Sequence, residues 1–348
     1  MAKKGYATQA KIRAVYGKCL TSENYHELLR CSDVTDAAEY LKRSTHYGKT
    51  LAQIDTNTIH RGMLEVLIRR NRFEEYKRLC KFEQLFESGI EFYRYVIVES
   101  EVTEILSLMR HINAGSGDDY ISTMPSYMNE YSSFDYIALA KIRDYGELLE
   151  FLKPTPYYAV LKDHIPSAGV KPKFTDIEVA LRTYYFKWLL AAIRKAADKE
   201  SADEIEKQIK IQIDFMNIIN SYRMKKFFGM SAAEIEKDML PFYGRLSQAK
   251  QYELYSAPDG DSFISRFSKT VYGRQMAENG IDTSNLEMSV RRMRYRYAKA
   301  VMCRSIDTSS CLYAFMYLLE TEVNNIISII EGIRYQADPK RIEALIVI

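Results

Sequence analysis

The chain has 348 residues, 47% hydrophobic and 27% charged, which fits an ordinary globular protein of two or three domains. Forty-nine basic residues against 46 acidic leave a net charge of +3, a balance that does not single out a nucleic-acid binder. Five cysteines (Cys19, Cys31, Cys80, Cys303, Cys311) show no C-x-x-C spacing, so they read as reduced thiols and argue against a disulfide framework or a zinc site.

In chain order, the opening MAKKGYATQAKIR carries charge but no apolar centre, so no secretory signal is expected. Helical periodicity dominates the rest of the chain, and no strand-length run alternates apolar with polar residues. With only 8 Pro and 15 Gly, long uninterrupted helices are expected and the fold class is all-α. Turns are expected at Gly115–Asp119, Pro154–Pro172 and Ala257–Asp261. Ser201-Ala202-Asp203-Glu204 reads as a capping box opening a helix that Gly229 closes, and Ser231-Ala232-Ala233-Glu234 opens the next. Leu286, Val290, Met293, Tyr297 and Ala300 form one apolar helical stripe. Cys311–Leu319 is the most apolar stretch; at nine residues it falls short of the roughly 20 that span a bilayer. Asp338-Pro339 starts a short last helix, expected to run to the end.

Two elements recur three times in the same phase. Thr-x-Tyr with an apolar residue four positions later occurs at Thr45/Tyr47/Leu51, Thr155/Tyr157/Leu161 and Thr270/Tyr272/Met276. An acid leading an apolar helix occurs at Glu101, Asp214 and Glu322. Both elements repeat at a period near 110 residues, which predicts three similar helical lobes around a pseudo-threefold axis, divided as 1–120, 121–245 and 246–348.

No pattern makes a case for catalysis or a cofactor. Gly48-Lys49-Thr50 resembles the end of a phosphate loop, but Arg43 stands where the first glycine is needed. The five histidines (His26, His46, His60, His111, His164) are scattered without ligand spacing, so no metal site is expected. Arg291, Arg292, Arg294 and Arg296, interleaved with Tyr295 and Tyr297, form the one dense basic-aromatic cluster. Its periodicity favours arginine stems flanking an apolar stripe, or a protein interface, over stacking on nucleic acid. The repeat residues Glu101, Asp214, Asn217, Glu322 and Asn325 are polar positions on apolar helices; they either fix each lobe or face a partner.

The helix with Asn217-Ile218, followed by Arg223, Lys226, Gly229 and Glu234-Ile235, resembles the C subunit of archaeal and bacterial A/V-type rotary ATPases, similar to the d subunit of the vacuolar enzyme. Glu322-Val323 with Asn325-Ile326, and Tyr6, Ala10 and Ile12-Arg13-Ala14, carry the same likeness. Glu104 and Glu331 depart from it, standing where the family pattern has Asn and Arg. The resemblance implies a non-catalytic, funnel-shaped helical spacer without cofactor. It would sit at the cytoplasmic face of the membrane, between a shaft of subunits D and F and the proteolipid ring, and would help to move protons or sodium ions. An unrelated helical-repeat adaptor is the alternative reading.

Overall fold

The structure is a computed structural model that describes residues 6–82, 89–115, 123–164 and 171–348. The expected turn beyond Gly115, and 165–170 of the expected loop at 154–172, lie outside the described residues. Among those described, the regular elements are all helical, as the periodicity requires. They run α1 Tyr6–Tyr16, α2 Ser22–Leu29, α3 Val34–Ser44, α4 Gly48–Leu51, α5 Arg61–Phe82, α6 Tyr95–Ala114, α7 Tyr136–Leu139, α8 Tyr145–Leu152 and α9 Tyr157–Leu161. There follow α10 Phe174–Ala196, α11 Lys199–Phe228, α12 Ala232–Lys237, α13 Gln248–Tyr255, α14 Gly260–Ser268, α15 Val271–Glu278, α16 Leu286–Arg304, α17 Thr308–Arg334 and α18 Pro339–Glu343.

Chain contacts define two compact units, Met1–Thr155 with Ala298–Ile348, and Pro156–Tyr297. In the first, one core joins the start of the chain to its end. Leu28, Leu41, Tyr47, Leu51, Leu64 and Ile68 pack with Val323, Ile326, Ile330, Ile342 and Ile346. In the second, Phe215 and Tyr222 of α11 pack with Phe263, Phe267, Tyr272, Met276, Leu286, Val290 and Met293. Three of the five residues in the expected α16 stripe are thus core, and Tyr297 packs partly against them. Burying side chains of this size stabilises the fold by about 1.5–3 kcal/mol each, which is what holds such short helices in place.

Capping fixes where the short helices start. Asp33, Asp144 and Asp259 each accept a hydrogen bond from the backbone N–H three residues on, at 2.9, 2.9 and 2.7 Å. Such a cap contributes about 1 kcal/mol. Each aspartate stands eight residues before a fully buried residue, Leu41, Leu152 or Phe267, and four before another, Ala37, Leu148 or Phe263. The helix after each is tied on by the repeated threonine. Thr45 Oγ1 donates to Leu41 O, Thr155 Oγ1 to Leu152 O and Thr270 Oγ1 to Phe267 O, at 2.6, 2.7 and 2.7 Å. The next two repeat positions, Tyr47/Tyr157/Tyr272 and Leu51/Leu161/Met276, are fully buried in every copy.

Some boundaries differ from expectation. Asp198, not Ser201, caps α11: its carboxylate accepts from the N–H groups of Glu200 and Ser201, so the helix opens three residues earlier. Gly229 closes it with a φ of +59°, and the Ser231/Glu234 capping box opens α12, both as expected. The segment expected as a loop at 154–172 contains α9, because Tyr157 and Leu161 are buried. The last helix stops at Glu343, and Val347 instead exchanges two hydrogen bonds with Asn325.

Candidate functional site

Each repeat places one carboxylate inside the protein, on the middle of a long helix. Glu101 on α6 is 2% exposed, Asp214 on α11 is 0% and Glu322 on α17 is 4%. An ionised group so placed is costly unless hydrogen bonds replace its water. The chain supplies those bonds from a loop close to each helix.

The Asp214 site is the most complete. Its Oδ2 accepts from Arg245 N at 2.8 Å, Leu246 N at 3.3 Å and the Tyr272 hydroxyl at 2.7 Å. Its Oδ1 accepts from Gly244 N at 3.0 Å and Gln251 Nε2 at 3.1 Å. Burial pushes the Asp214 carboxyl above its ordinary value, with the Tyr272 and backbone donors pulling it back. Burial, then the Asp214 charge, holds the Tyr272 hydroxyl far above its ordinary value, so it stays protonated and donates. One turn on, Asn217 donates to Leu240 O at 2.9 Å and accepts from Leu240 N at 3.0 Å.

The Glu322 site repeats this plan with other partners. Oε2 accepts from Leu20 N at 2.6 Å, and Oε1 accepts from the Tyr47 hydroxyl at 2.9 Å. His46 Nε2 lies 2.6 Å from the same Oε1. Burial, then the Glu322 charge, raises both the Tyr47 hydroxyl and the Cys19 thiol far above their ordinary values. Asn325 repeats the role of Asn217, bonding both backbone groups of Val347 at 2.8 and 3.1 Å. At the Glu101 site, Ser132 Oγ and Ser133 N donate to Oε1.

The structure therefore brings each repeat acid together with its own loop, and it brings the repeat tyrosines Tyr272 and Tyr47 onto Asp214 and Glu322. Asn217 and Asn325 are likewise spent on backbone groups inside the chain. The arginines stand apart from these sites. Arg291, Arg292 and Arg296 are exposed on α16, Arg294 is half-buried, and Arg296 Nη1 donates to Asn279 O at 2.8 Å. Sequence reasoning missed the loop donors at 244–246, as well as Leu20, Gln251, Cys19 and His46 as partners of the acids. A signal was available for the frame: the aspartates at 33, 144 and 259 share the period of the tyrosine repeat. Nothing comparable marks Leu20 as the partner of Glu322, 302 residues away. Among the described residues, no helix is long and apolar enough to cross a membrane.

Comparison with known proteins gives the arrangement a context. A family model described as ATP synthase (C/AC39) subunit matches residues 8–345. The C subunit of the A-type ATP synthase of Methanosarcina barkeri is 25% identical over 267 residues, which cover 75% of this chain and 69% of that protein. Its counterpart from Methanosarcina mazei is 24% identical over 277 residues, covering 78% of this chain and 72% of that protein.

Proposed function

This chain belongs to the ATP synthase (C/AC39) subunit family, and on that premise we propose that it is the non-catalytic spacer of an A/V-type rotary machine. In this reading it couples a rotating shaft of subunits D and F to the membrane proteolipid ring, at the inner face of the membrane, and transmits torque for proton or sodium transport. The observation that carries the reading is the span of the family match, 8–345, which takes in all three copies of the repeated carboxylate site.

Physical features support it. A spacer that carries torque must resist shear, and close-packed helices tied by buried, hydrogen-bonded carboxylates do so. We take Glu101, Asp214, Asn217, Glu322 and Asn325 as the residues that hold each lobe, so that three lobes around a pseudo-threefold axis make a stiff hollow socket. The partner-facing role then falls to exposed groups, with Arg291, Arg292 and Arg296 as the first candidates, since arginine is enriched at protein interfaces.

The test is co-elution of the purified chain with the D–F pair and, separately, with the detergent-solubilised ring. Comigration with both is the expected result. The Arg291→Glu/Arg292→Glu double variant should weaken one of the two without altering the far-ultraviolet circular dichroism. Comigration with neither partner, both being intact, would overturn the spacer reading.

A further inference from the structure

The repeat provides its own control on the Glu322 site. An acid on a long helix, a tyrosine hydroxyl and a loop N–H are common to the Asp214 and Glu322 sites, so they belong to the frame. Two side chains are not common. The residue before the tyrosine is Val271 beside Asp214 but His46 beside Glu322. The residue before the leucine whose N–H binds the acid is Arg245 in one and Cys19 in the other. At the third acid, Ser132 precedes the donor Ser133. Holding the helix needs neither a thiol nor an imidazole, since Asp214 is held without them.

These two additions sit where metal ligands would. Cys19 Sγ, a His46 ring nitrogen and a Glu322 carboxylate oxygen all lie within 4.8 Å of one another. In a tetrahedral zinc site, bonds of about 2.0 Å to N and O and 2.3 Å to S set ligand atoms roughly 3.3–3.6 Å apart. Opening the 2.6 Å contact between His46 and Glu322 by less than about 1 Å would reach that spacing. The carboxylate is already oriented by Leu20 N and the Tyr47 hydroxyl, the kind of outer support that ligating carboxylates require. His46 also lines an open cavity of about 1020 Å³, shared with Lys18, Thr45, Gly48 and Lys49, which gives an entry path and room for a water as fourth ligand.

We propose that Cys19, His46 and Glu322 form a binding site for a thiophilic divalent cation of the zinc class, joining the start of the chain to α17. Binding forms one bond each to sulfur, nitrogen and oxygen and releases the Cys19 thiol proton to solvent. A thiolate and a carboxylate then neutralise the dication. The sulfur and nitrogen ligands select against Mg²⁺ and Ca²⁺, which require a shell of oxygens.

Chelator-treated full-length chain titrated with Co²⁺ tests this directly. The expected result is one equivalent bound, with thiolate-to-cobalt charge-transfer absorption that Zn²⁺ displaces and Mg²⁺ does not. Cys19→Ser should abolish that band, and His46→Gln should weaken binding by about tenfold or more. Cys303→Ser and Cys31→Ser should leave it intact. Should Cys19→Ser fail to fold, His46→Gln decides the question, because it keeps every thiol. Absence of the band in the wild-type chain, or its survival at full strength in either Cys19→Ser or His46→Gln, would overturn the proposal.

Discussion

The Asp214 and Glu322 sites are two solutions to one problem, an anion buried in the middle of a long helix. At Asp214 the solution is nearly all backbone and amide: three consecutive loop N–H groups, Gln251 and Tyr272. At Glu322 a single N–H remains, and His46 and Tyr47 take the other positions. The first site is saturated with donors, although Arg245 and Leu246 also line a cavity of about 350 Å³. The second is built mainly from separate side chains, and its His46 lines a larger cavity. What they share, an acid, a tyrosine and a capped short helix, is the scaffold; what they do not share is where this chain has specialised.

Removing the acids breaks the comparison most severely. Asp214→Ala leaves five donors without an acceptor, and at about 1–3 kcal/mol per stranded buried donor, partly relieved by water, a loss of about 4 kcal/mol or more is expected. Glu322→Ala strands one N–H and the Tyr47 hydroxyl, while His46 can turn to the cavity, so about 2–3 kcal/mol is expected. Urea denaturation of the two variants measures both. Equal losses would mean that the number of donors does not set the stability of these sites.

The loops offer a sharper contrast at one repeat position. Gly244 and Lys18 each stand two residues before the leucine that binds the acid. A Cβ on Gly244 would come within 2.6 Å of Asp214 Oδ2 and 2.9 Å of Lys210 O, so the three-donor loop approaches its helix too closely for a side chain. Lys18 is exposed and has no such constraint. Gly244→Ala is expected to cost about 2 kcal/mol and Lys18→Ala less than about 0.5 kcal/mol, read from denaturation midpoints. A tolerated Gly244→Ala would show that the Asp214 loop gives way easily.

The asparagines extend the contrast to the segments they pin. Asn217 pins Leu240 and also donates to Gln251 Oε1 at 3.3 Å, the amide that serves Asp214, whereas Asn325 pins Val347. Removing Asn217 disturbs a donor of the buried acid as well as a backbone segment, so the two losses differ. Asn217→Ala should therefore cost about 2 kcal/mol and Asn325→Ala about 1 kcal/mol. Hydrogen exchange at the Val347 amide should speed up in Asn325→Ala with little change elsewhere.

How much of this the sequence discloses depends on the kind of interaction. The helical class, the Ser231 cap, the Gly229 stop and the α16 stripe follow from residues within a few positions of one another. The recurrence of Thr-x-Tyr and of the leading acids was also legible, because three copies at one period stand out from a single amphipathic helix. That Tyr272 bonds Asp214, and Tyr47 bonds Glu322, was not, since those pairs are 58 and 275 residues apart. The end of the last helix was misjudged for the same reason: Asn325 captures Val347 from another element, and no local signal near Glu343 announces it. Cys19 and His46 look scattered because ligand spacing shows only along the chain, while the fold brings them together on Glu322.

The smallest expected effect is a pH dependence carried by Asp214. Its native carboxyl is raised above the ordinary 3.8, first by burial. The native state therefore holds that proton more tightly than the unfolded chain does. This contribution to stability is fully present below about pH 3.8 and is lost as pH rises through the higher native value. Asp214→Asn cannot titrate, and whatever constant cost its amide adds drops out of a slope. The stability of the wild-type chain minus that of Asp214→Asn should thus fall with rising pH across this window, by at most about 1.4 kcal/mol per unit. Urea midpoints of both proteins, taken in half-unit steps upward from the lowest pH at which both fold, give that difference directly. A difference that rises with pH would mean that the five donors outweigh burial, and that Asp214 is held in its ionised form more firmly inside the protein than in water.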